Sequence, residues 1–162
     1  MRRLTSHPAP GPKNSMQYWG AMAGRWRTSR NFLLIWVSRY IPYLPLKNAL
    51  LRMTGMRLGQ DVSIGLMVMI DVLFPHLITV DDDSIIGYNT TILAHEFLLD
   101  QLRTGSVRVG KRVLIGAHSL VLPGVEIGDG AVVSACSLVN RDVPPGARVG
   151  GVPARPLEER DA

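Results

Sequence analysis

The chain has 162 residues, 46% of them apolar, with one cysteine and a formal charge of +5. This is enough for one folded domain with a core, and it excludes a disordered composition, an intramolecular disulfide framework and any site built from several cysteines. The charge is uneven: residues 1–60 hold ten Lys/Arg and no Asp or Glu, while the rest holds eight basic and thirteen acidic residues, so the basic character stays outside the main body and no nucleic-acid partner is indicated.

Residues 1–15 (MRRLTSHPAPGPKNS) are rich in Pro, Ser and charge, with too little apolar surface to offset the entropy of ordering, and are expected as a flexible arm. Residues 16–55 form an N-terminal helical segment. Leu33, Trp36, Val37, Tyr40 and Leu44 fall at i, i+3, i+4, i+7 and i+11, with Ser29 or Asn31 as N-cap and Pro42 and Pro45 as stops. A second short helix runs from Leu46 to Met53 and is stopped by Gly55.

The apolar run Phe32–Val37 is far below the roughly 18 residues a membrane span needs. Arg25, Arg27, Arg30 and Arg39 around Trp19, Trp26 and Trp36 suit either a packed helix with a solvated face or a segment lying on an anionic membrane surface, the packed helix being the commoner cause of such a stripe. An acid-free, Arg-rich start is also a trait of transit peptides, but no small-residue cleavage site follows an apolar core. The expected location is cytoplasmic, with peripheral contact at the inner membrane surface left open through this segment.

From Leu58 the sequence repeats in sixes: LGQDVS, IGLMVM, then VDDDSI, IGYNTT, and after a longer interruption VGKRVL, IGAHSL, VLPGVE, IGDGAV, VSACSL, VNRDVP. The first residue of each unit is aliphatic and the fifth small or β-branched. The period fits neither a helix nor strand alternation, so each unit is read as a short strand plus a turn, three units making one triangular coil. Residues 56–147 make about four such coils, and residues 148–162 a C-terminal tail.

The rhythm breaks after Ile92, where ILAHEF begins, and a loop over about 94–108 is expected to leave the coil. His95 stands at that break. A neutral imidazole has a pKa near working pH and is suited to strip a proton from an attacking hydroxyl. Glu96 either orients that imidazole or caps the loop. Leu98, Leu99 and Leu102 form an apolar loop flank that an isolated prism would expose. Asp81, Asp82 and Asp83 read as a solvated corner, His76 and His118 as structural or exposed, and Cys136 as small and packed.

These features resemble the hexapeptide-repeat, or isoleucine-patch, acyltransferases, most specifically over Val109–Leu157, which is similar to the C-terminal half of the galactoside and maltose O-acetyltransferases and ends in GVPAR (Gly151–Arg155). The resemblance implies an all-β left-handed parallel β-helix, a homotrimer, and acetyl-CoA as acyl donor with no metal. It makes His95 the catalytic base and Asp71 an acceptor-binding residue, and it puts Ala117, Ala135, Asn140, Arg141 and Arg155 along the coenzyme, with small residues by the pantetheine and arginines by phosphates. The implied acceptor is a hydroxyl of a sugar, polysaccharide or similar small molecule. Leu114, where those enzymes usually carry Trp, and Glu158, where the galactoside enzymes carry arginine, depart from the pattern. Two rival readings remain: a metal-dependent hydratase of the γ-carbonic-anhydrase type, whose paired histidines lie far closer together than His95 and His118 do, and a non-catalytic scaffold subunit.

Overall fold

The computed structural model describes residues 2–157, so Glu158 lies outside the described residues. The body consists of three parallel sheets visited in fixed rotation. The first sheet takes Arg57–Leu58, Ile78–Val80, Val107–Val109 and Glu126–Ile127. The second takes Ser63–Ile64, Ile85–Ile86, Leu114–Ile115, Val132–Val133 and Arg148–Gly150. The third takes Met69–Ile70, Thr91–Ile92, Leu120–Val121 and Leu138–Val139. Each circuit therefore adds one rung to every sheet, and Ile64, Ile86, Ile115, Val133 and Val149 stand in register one above another.

The two inward positions of the hexad form the core. Val80, Ile86, Ile92, Val109, Ile115, Val121, Ile127 and Val133 have no accessible surface. The small fifth residues fill the space beside the corners, and where they are hydroxylated they bond to neighbouring backbone: Ser84 Oγ donates to the Gly110 carbonyl (2.7 Å) and accepts from the Val113 amide (3.0 Å), so the buried hydroxyl is paired. The fourth residue turns the corner in a left-handed conformation, as at Asp61, Met67, Asn89, Arg112, His118 and Cys136. The glycine after the aliphatic residue answers a different need. A Cβ at Gly87 would stand 2.5 Å from the Ala117 amide nitrogen of the next coil, closer than stacked backbones permit.

Helices cover the open end of the first coil: α1 (Trp19–Ala23), α2 (Arg25–Tyr40) and α3 (Leu44–Met53). That end presents a row of strand carbonyls with no further strand to pair with, which must find donors. Lys47 Nζ donates to the carbonyls of Ile64 (3.0 Å) and Gly65 (2.8 Å), Asn48 to Val62 (2.8 Å), Arg52 to Gly59 (2.8 Å) and Asn31 to Val72 (3.2 Å). Lys47 is only 1% exposed, and burial pushes the pKa of its ammonium down.

The orientation of α2 is the reverse of the one expected. Its buried residues are Thr28, Asn31, Ile35 and Ser38, while Leu33, Trp36, Val37 and Tyr40 are exposed; on the buried face Asn31 donates to the coil end at Val72 and Ile35 joins the core. Neither Ser29 nor Asn31 caps the helix, which starts one residue after Gly24.

The N-terminal residues also differ from the expected flexible arm. Thr5–Pro8 is a strand, antiparallel to Gln101–Thr104 of the loop, while Arg3 pairs with Glu126 and Asp142 at 3.1 Å each. Local composition favours disorder here, but an unpaired loop edge and acidic corners more than ninety residues away supply the partners. The loop itself is a hairpin of His95–Phe97 and Gln101–Thr104. Leu102 is buried within the chain and Leu99, at the tip, is exposed. At the far end of the coils, Arg155–Pro156 folds back antiparallel on Arg148–Gly150.

Candidate active site

The chain leaves the coil at the corner after the third sheet. Ile70 and Ile92 are partners in that sheet, so Asp71 lies one coil below Leu93, directly under the point where the hairpin departs. Asp71 is 1% exposed, and its carboxylate accepts four hydrogen bonds. Oδ1 takes the amides of Leu73 (2.9 Å) and Phe74 (2.8 Å). Oδ2 takes the amide of Ala94 (2.7 Å) and Nδ1 of His95 (2.5 Å).

An ionised carboxylate only accepts, so the proton of a neutral His95 sits on Nδ1 and Nε2 keeps its lone pair. The ring is further held between Phe74 and Phe97, with centroids 5.7 and 5.2 Å away. Phe97 follows His95 by two positions in a strand and therefore shares its side of the hairpin.

Asp71 was expected to receive a substrate hydroxyl; in the structure its oxygens bond His95 and the amides of Leu73, Phe74 and Ala94. Glu96 points away from the ring, as the residue after His95 in a strand must. Its carboxylate bonds Arg2 at 3.0 Å and stands 3.9 Å from Arg103, tying the start of the chain, ahead of the N-terminal strand, to the hairpin. The partner of His95 was legible in the repeat register, since Asp71 follows Ile70 as Leu93 follows Ile92.

His95 opens into a hollow of about 560 Å³ between the coil and the helical segment, lined also by Met16, Gln17, Trp19, Thr28, Leu73 and Phe97. Its walls are largely apolar and aromatic. No residue of the 15–19 stretch was singled out for this role by sequence; the helices reach the site only because they cap the first coil.

The five residues expected along a coenzyme divide between two corners. Ala117 and Ala135 occupy equivalent positions at the corner after the second sheet, where the Cys136 amide donates to the Ala117 carbonyl (2.9 Å), and Arg155 lies beside the same sheet, opposite Gly150. Asn140 and exposed Arg141 occupy the corner after the third sheet, the one from which His95 departs two coils earlier. Asn140 Oδ1 is buried with no hydrogen-bond partner among the described residues.

The remaining candidates fall outside this site. His118, at a corner with positive φ, bonds Asn89 through Nδ1 (3.1 Å) and meets the ring of Tyr88. Cys136 is exposed at its corner rather than packed, because the fourth residue of the hexad points outward. Asp81 pairs with Arg108 and Asp82 with Lys111, each at 2.9 Å; the Gln60 amide and then Lys111 hold the Asp82 carboxyl below its usual range. Among the described residues no three His, Cys, Asp or Glu side chains form a group able to hold a metal ion.

Residues 106–141 match the family model described as bacterial transferase hexapeptide, six repeats. The chain is 48% identical over 156 residues to the putative acetyltransferase YvoF of Bacillus subtilis (strain 168), spanning 96% of this chain and 90% of that protein. It is 33% identical over 91 residues to the galactoside O-acetyltransferase of Escherichia coli (strain K12), spanning 52% of this chain and 45% of that protein. Among solved structures, a hexapeptide-repeat acetyltransferase from Vibrio cholerae, complexed with acetyl-coenzyme A, superimposes with a TM-score of 0.71 at 27% identity, covering 88% of this chain and 92% of that one.

Proposed function

Since the chain belongs to the bacterial hexapeptide-repeat acetyltransferases, we propose that it folds as a left-handed parallel β-helix and transfers an acetyl group from acetyl-CoA to a hydroxyl of a sugar or similar small acceptor, with His95 as general base. The observation that carries this reading is the bond from His95 Nδ1 to the buried, four-fold bonded Asp71 carboxylate, which leaves Nε2 basic beside an open hollow.

The chemistry follows from that arrangement. Nε2 takes the proton of the acceptor hydroxyl as its oxygen attacks the thioester carbonyl. A backbone N–H or water stabilises the oxyanion, and when the carbon–sulfur bond breaks the imidazolium returns the proton to the departing thiolate. Asp71 contributes by fixing tautomer and ring direction and by stabilising the transient imidazolium, the role of the carboxylate in the serine-protease triad. Holding both reactants against a rigid coil supplies much of the rate gain through positioning. Trp19 and Phe97 offer ring faces for the apolar side of a pyranose or an aryl glycoside, and Gln17 an amide for its hydroxyls.

A homotrimer accounts for the division of the coenzyme residues. With Ala117, Ala135 and Arg155 by one corner and His95, Asn140 and Arg141 at the next, a groove holding all of them draws one corner from each of two neighbouring chains.

The test is an acceptor panel followed by release of free CoA thiol. The expected result is turnover with at least one sugar hydroxyl and a loss of about 10²- to 10⁴-fold in kcat for His95→Ala with the fold intact. Unchanged turnover in that variant would remove His95 as the base, and a stoichiometric zinc or iron ion in active protein would restore the hydratase reading.

A further inference from the structure

We propose that the outward face of α2 docks on an anionic lipid surface. The face is defined by what the coil leaves over. With Thr28, Asn31, Ile35 and Ser38 turned inward, the opposite side of the helix carries Trp26, Leu33, Trp36, Val37 and Tyr40. Trp26 is 83% exposed, Leu33 59% and Tyr40 54%. Trp36 and Tyr40 meet edge to face at 5.6 Å, so the apolar surface is continuous along the helix, and Tyr43 extends it beyond the helix end at 64% exposure. A contiguous aromatic face of this kind is uncommon on a chain that meets only water and marks a surface that something covers.

Charge selects the occupant. By helical position Arg25 and Arg30 flank the aromatic face on its two sides, both exposed. Among the described residues the ion pairs engage Arg2, Arg3, Arg103, Arg108, Lys111 and Arg112, and none engages the arginines of α2. Residues 1–60 contain no carboxylate, and most acidic corners of the body already hold a cation of their own. Among the described residues a second copy of the chain therefore has few free carboxylates to set against these arginines, whereas an anionic bilayer supplies negative charge in excess. A helix with tryptophan and tyrosine on one face and arginine along its margins is built to lie in the headgroup plane, rings among the upper acyl chains and guanidinium groups among the phosphates. No helix of the described residues is long and apolar enough to cross a membrane, so the contact is with the surface. The inference stands apart from the transfer chemistry, because none of the outward residues of α2 lines the hollow at His95.

Sedimentation of the full chain with vesicles of phosphatidylcholine alone, or of phosphatidylcholine mixed with phosphatidylglycerol, tests it. Binding is expected to the mixed vesicles, weakening severalfold as salt rises from about 0.1 M to several times that concentration. The triple variant Trp26→Ser, Leu33→Ser, Trp36→Ser is expected to lose at least tenfold in partitioning while keeping the circular dichroism and oligomer size of the parent. Arg25→Gln with Arg30→Gln is expected to lose the preference for anionic lipid. Absence of sedimentation with either vesicle, equal binding to both compositions, or a triple variant that dissociates the oligomer without changing lipid partitioning would each overturn the proposal, the last by assigning the face to a second copy.

Discussion

Two regions of this chain use apolar residues in opposite senses. In the coils, a residue's place in the hexad predicts burial: Val109, Ile115, Val121, Ile127 and Val133 are all fully enclosed. In α2 the inward face carries Thr28, Asn31 and Ser38 beside a single large apolar residue, Ile35, while Trp26, Leu33, Trp36, Val37 and Tyr40 lie outward. The difference arises at the junction. A stack of parallel strands satisfies its own backbone except at its ends, and the first coil ends in carbonyls that only donors can satisfy. Apolar side chains on the inner face of α2 and α3 would have hidden those carbonyls without pairing them, at about 1–3 kcal/mol each. Burial in the coil follows volume, and burial in the cap adds hydrogen-bond donors, Asn31, Lys47 and Asn48, to apolar Ala23, Ile35 and Leu51.

The sharpest way to break this comparison is a matched pair of truncations. Ile115→Ala removes an enclosed rung and is expected to destabilise by about 2–5 kcal/mol. Leu33→Ala removes an exposed side chain and is expected to stay within about 0.5 kcal/mol in lipid-free buffer. Chemical denaturation of both variants reads the contrast directly, and equal losses would mean that the outward face is packed in the assembled protein.

Next in size is the contrast between two carboxylates near His95. Asp71→Asn offers the ring an amide in place of an acceptor-only carboxylate and disturbs the tautomer, so kcat is expected to fall about 10²-fold or more. Glu96→Gln weakens only the pairing with Arg2 and Arg103, and kcat is expected to stay within about twofold because a part-exposed pair contributes little. Steady-state kinetics with the best acceptor of the panel separates the two, and the reverse ranking would return Glu96 to the role of helper.

How much of this was legible follows the same division. The hexads gave the coil register, the departure at Ile92 and His95 itself, because a six-residue period is a local property of the chain. The register also implied that Asp71 lies beneath the hairpin, but a carboxylate near a substrate site suggests a substrate contact until its four hydrogen bonds are seen. The strand at Thr5–Pro8 and the orientation of α2 were beyond local reading. Each is set by a partner distant in sequence, the hairpin edge and the acidic corners for the first, the coil end where Asn31 meets the Val72 carbonyl for the second. Helical periodicity located the stripe correctly and could not say which way it faced.

The smallest effect tests the cap at its centre. Lys47→Met keeps the length of the side chain and removes the donor to Ile64 and Gly65, so near neutral pH the loss is expected at about 1–2 kcal/mol: two carbonyls go unpaired, offset in part by no longer desolvating an ammonium. The pH dependence isolates that second effect. Because burial lowers the folded pKa of Lys47 below the 10.5 of the unfolded chain, the unfolded state binds more protons between the two values. Stability of the parent should therefore rise with pH through that alkaline window, by at most about 1.4 kcal/mol per unit from this group, and the variant should lack the rise. The difference between the two denaturation curves, measured at several pH values up to about 10, cancels titrations common to both proteins. A difference that stays flat would mean that Lys47 meets enough water to keep its ordinary pKa, and the coil end would then be hydrated where the structure has it capped.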